Sequence, residues 1–319
     1  MHSHRALFAA THAVRTASQW AISVDTLVES VHFDASTPVD ALGYKCVAVN
    51  LSDMAAMGAI PRAIQCAWSD PHVDLPWGHA LEHAIRQAAA QVPMSADLAM
   101  VLAPRRQISI QIVGEVAHGQ ALTRHAACIG DQLWVSGTLG DAGGGLALLH
   151  EHLHTDRYDD HDYLVQRLHR PTPRLALGQA LRGIANAAID ISDGIAGDAG
   201  HIAARSKVGI RLFANRLPLS AALVRVAGAS AAQRYALGAG EDYELAFSAP
   251  ARLATQVQQA ARRCQISVHC IGEIIAGDAV VLLDEQMREL ALPPAFDHFA
   301  DRQIIRDNTP DKETEDGSR

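Results

Sequence analysis

What this 319-residue sequence lacks narrows it first. No apolar run approaches the ~20 residues that a bilayer span needs, because Pro93 and Asp97 interrupt the best stretch, residues 88–103. The five cysteines are odd in number and form no Cys-x-x-Cys pair, which argues against a disulfide framework or a zinc knuckle. Positive charge is also short. Lys and Arg total 27 against 35 Asp and Glu, and the net charge of −8 argues against broad attraction to nucleic acid or anionic lipid. No Gly-Lys-Ser/Thr follows the glycines at 140–145, so there is no Walker A loop, and those glycines read as a packed turn. There is no solenoid period, and the opening Met1-His2-Ser3-His4-Arg5 leads into a stretch too weakly apolar for a signal peptide. Together these absences predict a soluble protein of a reducing cytoplasm, with no membrane or nucleic-acid partner.

What remains is a chain long enough for two domains of roughly 150 residues, with 49% hydrophobic residues. Residues 20–28 read as a strand, and Thr37-Pro38 offers an N-cap to a long apolar helix over 39–57, stopped by Gly58 and Pro61. A second helix is expected over 76–91. Ile108, Ile110 and Ile112 then alternate at strand spacing. The composition shifts at 126–131, which places a boundary there. Beyond it, strands are expected over 132–137, up to Asp190, and over 208–213, 243–248, 268–275 and 279–283, with helices over 174–184, 195–206 and 252–263. This alternation predicts an α/β or α+β architecture. Residues 306–319 are polar and charge-dense, the pattern of a disordered tail.

Four acidic clusters carry the chemical signal. Asp25 sits within the apolar strand Ile22-Ser23-Val24-Asp25-Thr26, where it marks either a strand end or a functional carboxylate. Asp53, in Asn50-Leu51-Ser52-Asp53-Met54-Ala55, lies near a helix C-terminus, where the macrodipole disfavours an anion; a bound cation would remove that penalty. In Asp190-Ile191-Ser192-Asp193-Gly194, an N-cap by Ser192 or Asp193 explains one acceptor and leaves the second carboxylate unexplained. Glu241, Asp242 and Glu244 crowd the entrance of a strand, where a solvated role alone would suffice. Taken together, many carboxylates and no paired His/Cys set suit Mg2+ and phosphate chemistry rather than zinc or copper.

These residues resemble a known family. Asp25-Thr26-Leu27-Val28-Glu29-Ser30-Val31-His32-Phe33, the segment 50–59, Asp190-Ile191-Ser192-Asp193-Gly194 and Gly240-Glu241-Asp242-Tyr243-Glu244-Leu245 are similar in kind and order to the motifs of thiamine-monophosphate kinases. Ala121-Leu122-Thr123-Arg124 and Phe296-Asp297-His298-Phe299 match as well. The resemblance implies a two-domain fold shared with aminoimidazole ribonucleotide synthetase. An N-terminal sheet domain (residues 1–126) would bind Mg-ATP and pair two subunits into a homodimer. An α/β domain (127–302) and a disordered tail (303–319) would follow. It also implies ATP-dependent phosphorylation of thiamine monophosphate to thiamine diphosphate. In that family frame Ser23, Asp25, Asp53, Asp190 and Asp193 are metal-site residues, Arg124 and Ser192 contact ATP, and His32, Glu241 and Phe296 contact thiamine phosphate. Members of the same fold such as selenophosphate synthetase and hydrogenase-maturation factors would be expected to show a reactive N-terminal or C-terminal cysteine, and neither is seen here.

Two family motifs are missing. Where members carry Gly-Ile-Gly-Asp-Asp, this sequence reads Arg5-Ala6-Leu7-Phe8-Ala9-Ala10-Thr11, and the aspartate of Gly-Gly-Asp-Thr falls on Met100. A methionine cannot replace a carboxylate at Mg2+. The expectation is weak Mg-ATP binding and slow turnover, or a non-catalytic protein that retains the thiamine phosphate pocket.

Overall fold

The computed structural model describes residues 18–72, 74–101 and 103–293. Two sheets organise them. The first holds β1 (Ser18–Val28), β2 (Ile60–Ser69), β3 (Ser95–Val101) and β4 (Gln107–Ala117), in the order β1-β4-β2-β3. β4 runs antiparallel to both neighbours, and β3 is a parallel edge strand beside β2. Helices α1 (Val39–Ala56) and α2 (Leu75–Ala89) supply Leu42, Cys46, Leu81 and Ile85 to a core shared with Ile108, Ile110 and Ile112 of β4.

β1 shows how period-two alternation sets function. Ala21 and Leu27 face the helices and are buried, and Ser23 and Asp25 share that face. Trp20, Ile22 and Val24 point away and are 44%, 57% and 59% exposed. In β2 a bulge between Pro61 and Ala63 breaks the alternation that would mark it as a strand. Helix α1 is corrected at its start: Pro38 rather than Thr37 is the N-cap, and the Thr37 hydroxyl accepts from the Asp34 N–H instead.

The second sheet holds β5 (Asp131–Ser136), β6 (Ala187–Asp190), β7 (Gly209–Phe213), β8 (Leu245–Pro250), β9 (Val268–Ile275), β10 (Val280–Leu283) and β11 (Glu289–Leu290). Their order is β11-β10-β7-β9-β5-β8-β6, antiparallel except between β7 and β10. Seven helices accompany it: α3 (Asp141–Leu149), α4 (Tyr158–His169), α5 (Leu175–Ala180), α6 (Ile195–Ser206), α7 (Ala221–Ala227), α8 (Ala229–Gly238) and α9 (Ala254–Arg263). The glycines expected as a turn instead open α3: Gly140 is its N-cap, and Gly143, Gly144 and Gly145 lie buried within it. Among the described residues no helix is long and apolar enough to cross a membrane.

The halves meet along α1, which is buried on nearly every side, as an apolar helix between two layers must be. Its Ala55 and Ala56 join Leu122, Leu177, Leu181 and Phe247 in one apolar cluster. Gly178 of α5 packs directly on this helix: a Cβ there would lie 1.9 Å from the Ala55 carbonyl oxygen, so only glycine permits the approach. The fold is the mixed two-sheet α/β architecture expected.

Candidate active site

A cavity of about 490 Å³ opens at this seam. Helix α1 contributes Leu42, Lys45, Val49 and Asp53, spaced so that all four fall on one helical face. The inward face of β1 contributes Asp25, and the turn after it His32. From the second half come Asp190 at the end of β6, Ser192 and Asp193 in the following turn, and Glu241 before β8. Arg124 also lines the cavity, because Thr123 bridges to Ala187 and runs its segment alongside β6.

Eight of the residues singled out in the sequence therefore converge: Asp25, His32, Asp53, Arg124, Asp190, Ser192, Asp193 and Glu241. Ser23 stands just behind, donating from its hydroxyl to the Asp53 carboxylate. Phe296, and residues 5–11 with their missing motif, lie outside the described residues. Met100 is on β3, and β4 and β2 stand between that strand and β1. At about 4.8 Å per strand, β3 lies roughly 14 Å from β1 across the sheet.

The carboxylates crowd one another. Burial first, then the charges of Asp53 and Asp190, push Asp25 up to about 7. Burial and then Asp53 raise Asp190 likewise, to about 7, against a smaller opposing pull from Arg124. A neighbour the sequence reading passed over, Asp198 on α6, is pushed up to about 8 by burial and then by Asp193. With His201 it completes a group in which ligand atoms of Asp193, Asp198 and His201 lie within 4.8 Å of one another. Asp198 and His201 stand three residues apart on one face of α6 and Asp193 just precedes the helix, so the Asp198–His201 spacing was the available signal.

The capping explanation for the 190–194 turn fails in a useful way. Gly194 is the N-cap of α6 and makes no side-chain cap bond; the Asp193 N–H donates instead to Asp198 at 3.1 Å. Ser192 and Asp193 are thus left to face the cavity. Their turn is laced to the one before β8. Glu241 N–H donates to the Ser192 carbonyl and Tyr243 N–H to the Ile191 carbonyl, both at 2.9 Å. Glu241 and Tyr243 take positive φ values of 64° and 50°, a conformation that this lacing maintains. Gly240 makes the lacing possible: a Cβ there would sit 2.2 Å from the Ser192 carbonyl oxygen.

The other end of the cavity differs in character. Phe33, Leu146, Leu149 and Leu168 provide apolar wall, and Lys45 forms an ion pair with Glu241. His32 Nδ1 accepts from the Val28 N–H at 3.0 Å, which leaves Nε2 as the protonated nitrogen of the neutral ring. One end therefore offers hard oxygen donors, and the other an apolar, hydrogen-bonding pocket.

The three carboxylates before β8 are not a solvated mouth. Only Glu241 reaches the cavity; Asp242 and Glu244 are buried behind it. Glu244 accepts from Arg167 at 2.9 Å, from Arg174 Nε at 2.6 Å and from Ser136 at 2.5 Å. Asp242 accepts from the Gly140 and Ala142 N–H groups at 2.6 and 3.3 Å.

Comparison with known proteins adds an independent line. Residues 8–101 match the family AIR synthase related protein, N-terminal domain, and residues 129–285 match its C-terminal domain. Curated thiamine-monophosphate kinases of Haemophilus influenzae and Escherichia coli (strain K12) are 37% and 38% identical to this chain over 88% of its length, spanning 87% and 86% of their own. Among solved structures, the thiamine-monophosphate kinase of Stenotrophomonas maltophilia K279a is 40% identical with a TM-score of 0.80, covering 84% of this chain and 86% of that one. AaThiL complexed with AMPPCP and TMP is 29% identical with a TM-score of 0.78, covering 90% and 89%. The hydrogenase maturation protein HypE of E. coli, 23% identical with a TM-score of 0.70 over 87% of both chains, is alike in fold alone.

Proposed function

Because this chain belongs to the thiamine-monophosphate kinase family, we propose that it transfers the γ-phosphoryl group of ATP to thiamine monophosphate, giving ADP and thiamine diphosphate. The observation that carries the proposal is the convergence in one cavity of the carboxylate cluster, Arg124 with Ser192, and His32 with Glu241. The acceptor is a phosphate oxygen, already anionic near neutral pH, so no strong general base is required. The site has two tasks: to align two phosphates in line and to offset the negative charge where they meet.

Asp25, Asp53 and Asp190, with Asp193 and Ser23 beside them, fit Mg2+. They are hard oxygen donors in a partly desolvated cluster, where burial first and neighbouring carboxylates second raise Asp25 and Asp190, so a bound cation would relieve the repulsion. Mg2+ bound there would neutralise charge on the donor and acceptor phosphates. Arg124, close enough to pull on Asp190, is proposed to meet ATP phosphate oxygens, and Ser192 to hydrogen-bond the nucleotide. At the opposite end, His32 would donate from Nε2 and Glu241 would accept from the substrate. Phe296 is proposed as an aromatic surface for the cationic thiazolium.

Met100, and the stretch at 5–11, stand where the family carries acids, so turnover is expected to be slow. A coupled assay of ADP release tests the whole reading. Release should depend on thiamine monophosphate and Mg2+, and should rise in a version carrying both motifs restored. Absence of thiamine monophosphate-dependent release from both proteins would overturn it. The same missing acids support a second reading, a non-catalytic relative that binds thiamine phosphate. Calorimetric binding of thiamine monophosphate without binding of Mg-ATP would favour that one.

We also propose a homodimer joined through the first sheets. It is supported by the exposed apolar stripe Trp20, Ile22 and Val24, which is more than a monomer's surface strand ordinarily shows to water. Light scattering of the purified chain reads its mass, and a monomer at micromolar concentration would reject this arrangement.

A further inference from the structure

Lys45 is the one basic residue in the segment 39–57, and it is only 6% exposed. A buried lysine needs a charge partner, and Lys45 Nζ finds it in Glu241 Oε2. The pair crosses the seam: Lys45 comes from helix α1 of the first half, Glu241 from the turn before β8 in the second.

The geometry excludes a simpler role for Lys45 as a phosphate clamp. It lies eight residues before Asp53 on α1, so the two Cα atoms are about 12 Å apart along the helix axis. Helical side chains lean toward the N-terminus, which carries Lys45 away from the carboxylate cluster and toward Leu42 and the apolar end. There the nearby imidazole of His169 is pushed down by burial and then by the charge of Lys45, so it adds little competing positive charge near neutral pH.

Glu241 needs such a partner. Its backbone is fixed by the N–H bond to the Ser192 carbonyl and by a φ of 64°, but those constraints stop at Cα. The carboxylate beyond is on a flexible side chain at the edge of a cavity. With Oε2 turned inward to Lys45, Oε1 is left to the ligand. We infer that Lys45 is a positioning residue that holds the Glu241 carboxylate aimed, so that its outer oxygen recognises a cationic, amine-bearing ligand. This rests on the proposed reading of the ligand as thiamine monophosphate, whose thiazolium is cationic and whose pyrimidine carries an amino group. Without Lys45, the inner oxygen loses its partner and the carboxylate swings toward water.

Isothermal titration calorimetry with thiamine monophosphate and, separately, with Mg-ATP tests this on the full chain. Lys45→Met is expected to weaken thiamine monophosphate binding by about tenfold or more, and to leave Mg-ATP binding within about twofold. Lys45→Arg should retain binding to within about threefold, since it keeps the charge with a different head geometry. In a Glu241→Gln background, adding Lys45→Met should cost less than about twofold, because the partner through which Lys45 acts is already gone. A purely structural role would give full additivity instead. Additive losses, or Lys45→Met binding as tightly as the unmodified chain, would overturn the inference. If Lys45→Met lowers the thermal midpoint sharply, Lys45→Gln, which retains a polar head, replaces it in the same cycle. Failure of the unmodified chain to bind thiamine monophosphate would count against the functional reading, whereas binding that Lys45 substitutions do not change counts against Lys45 alone.

Discussion

Two groups of carboxylates, one buried and one only partly so, sit back to back in this protein and are stabilised in opposite ways. Behind the turn before β8, Asp141, Asp242 and Glu244 are enclosed by Arg167, Arg174, four hydroxyls and two backbone N–H groups. In front of it, Asp25, Asp53, Asp190, Asp193 and Asp198 face a cavity, with Arg124 the cation that pulls on Asp190. The first group is satisfied within the chain and braces the fold. The second has few positive partners, and burial first, then repulsion among its own members, raises Asp25, Asp190 and Asp198. The difference teaches how to separate a structural acid from a functional one: composition does not do it, but the supply of partners does.

Breaking the rear group should have the largest effect on folding. Arg167→Met leaves Glu244, which is fully buried, with one guanidinium, and should lower stability by about 3 kcal/mol in a denaturant titration. An unchanged midpoint would mean that charge pairing is not what stabilises that group. The front group should respond in the reverse sense. Asp190→Asn removes a repelling charge, so the ligand-free protein should melt at the same or a higher temperature. Phosphoryl transfer should nevertheless fall by roughly a hundredfold. A coincident loss of stability and activity would erase the proposed contrast.

The smallest effect sharpens the comparison through pH. Asp25 and Asp190 are held up to about 7 and Asp198 up to about 8 in the folded protein, against about 4 for an unfolded aspartate. Between those values the folded state binds more protons than the unfolded one, so stability is greatest below the window and declines as pH rises from about 4 to about 8. Asp242 adds to the same trend, because burial outweighs its hydrogen bonds and raises it to about 7. The thermal midpoint of the ligand-free protein should fall by several degrees over that range. Added Mg2+ should recover more of it at pH 8 than at pH 5, where protons compete for the same oxygens. A flat profile would argue that the front carboxylates are not crowded in solution.

Much of this was legible in the sequence where local and tertiary demands agree. β1, α1, β4 and α6 follow from periodicity, and eight of the proposed site residues converge as their motifs implied. Helix α4 did not stand out, because its buried positions are Asp160, Leu164 and Leu168, and an acid at a core position blurs the apolar stripe. Asp160 is there to receive Arg157, three residues away, and Arg225, a partner 65 residues away that no local window joins. Asp198 and Lys45 were hidden differently: each looks like an ordinary helix residue until the seam brings it to the cavity. Lys45 could have been found as a lone cation in an apolar helix.

Gly178, pressed against the carbonyl of Ala55, fixes more than a packing distance. Asp53 lies two residues before Ala55 on one side of that contact, and Asp190 and Asp193 belong to the other side. The spacing of the two backbone segments that carry these carboxylates is therefore limited by backbone against backbone, and the aspartate side chains adjust within it. Gly178→Ala would push α5 off α1 and shift the two sets of aspartates relative to one another, so Mg2+-dependent activity would be sensitive to a single methyl group on a helix that contributes none of them.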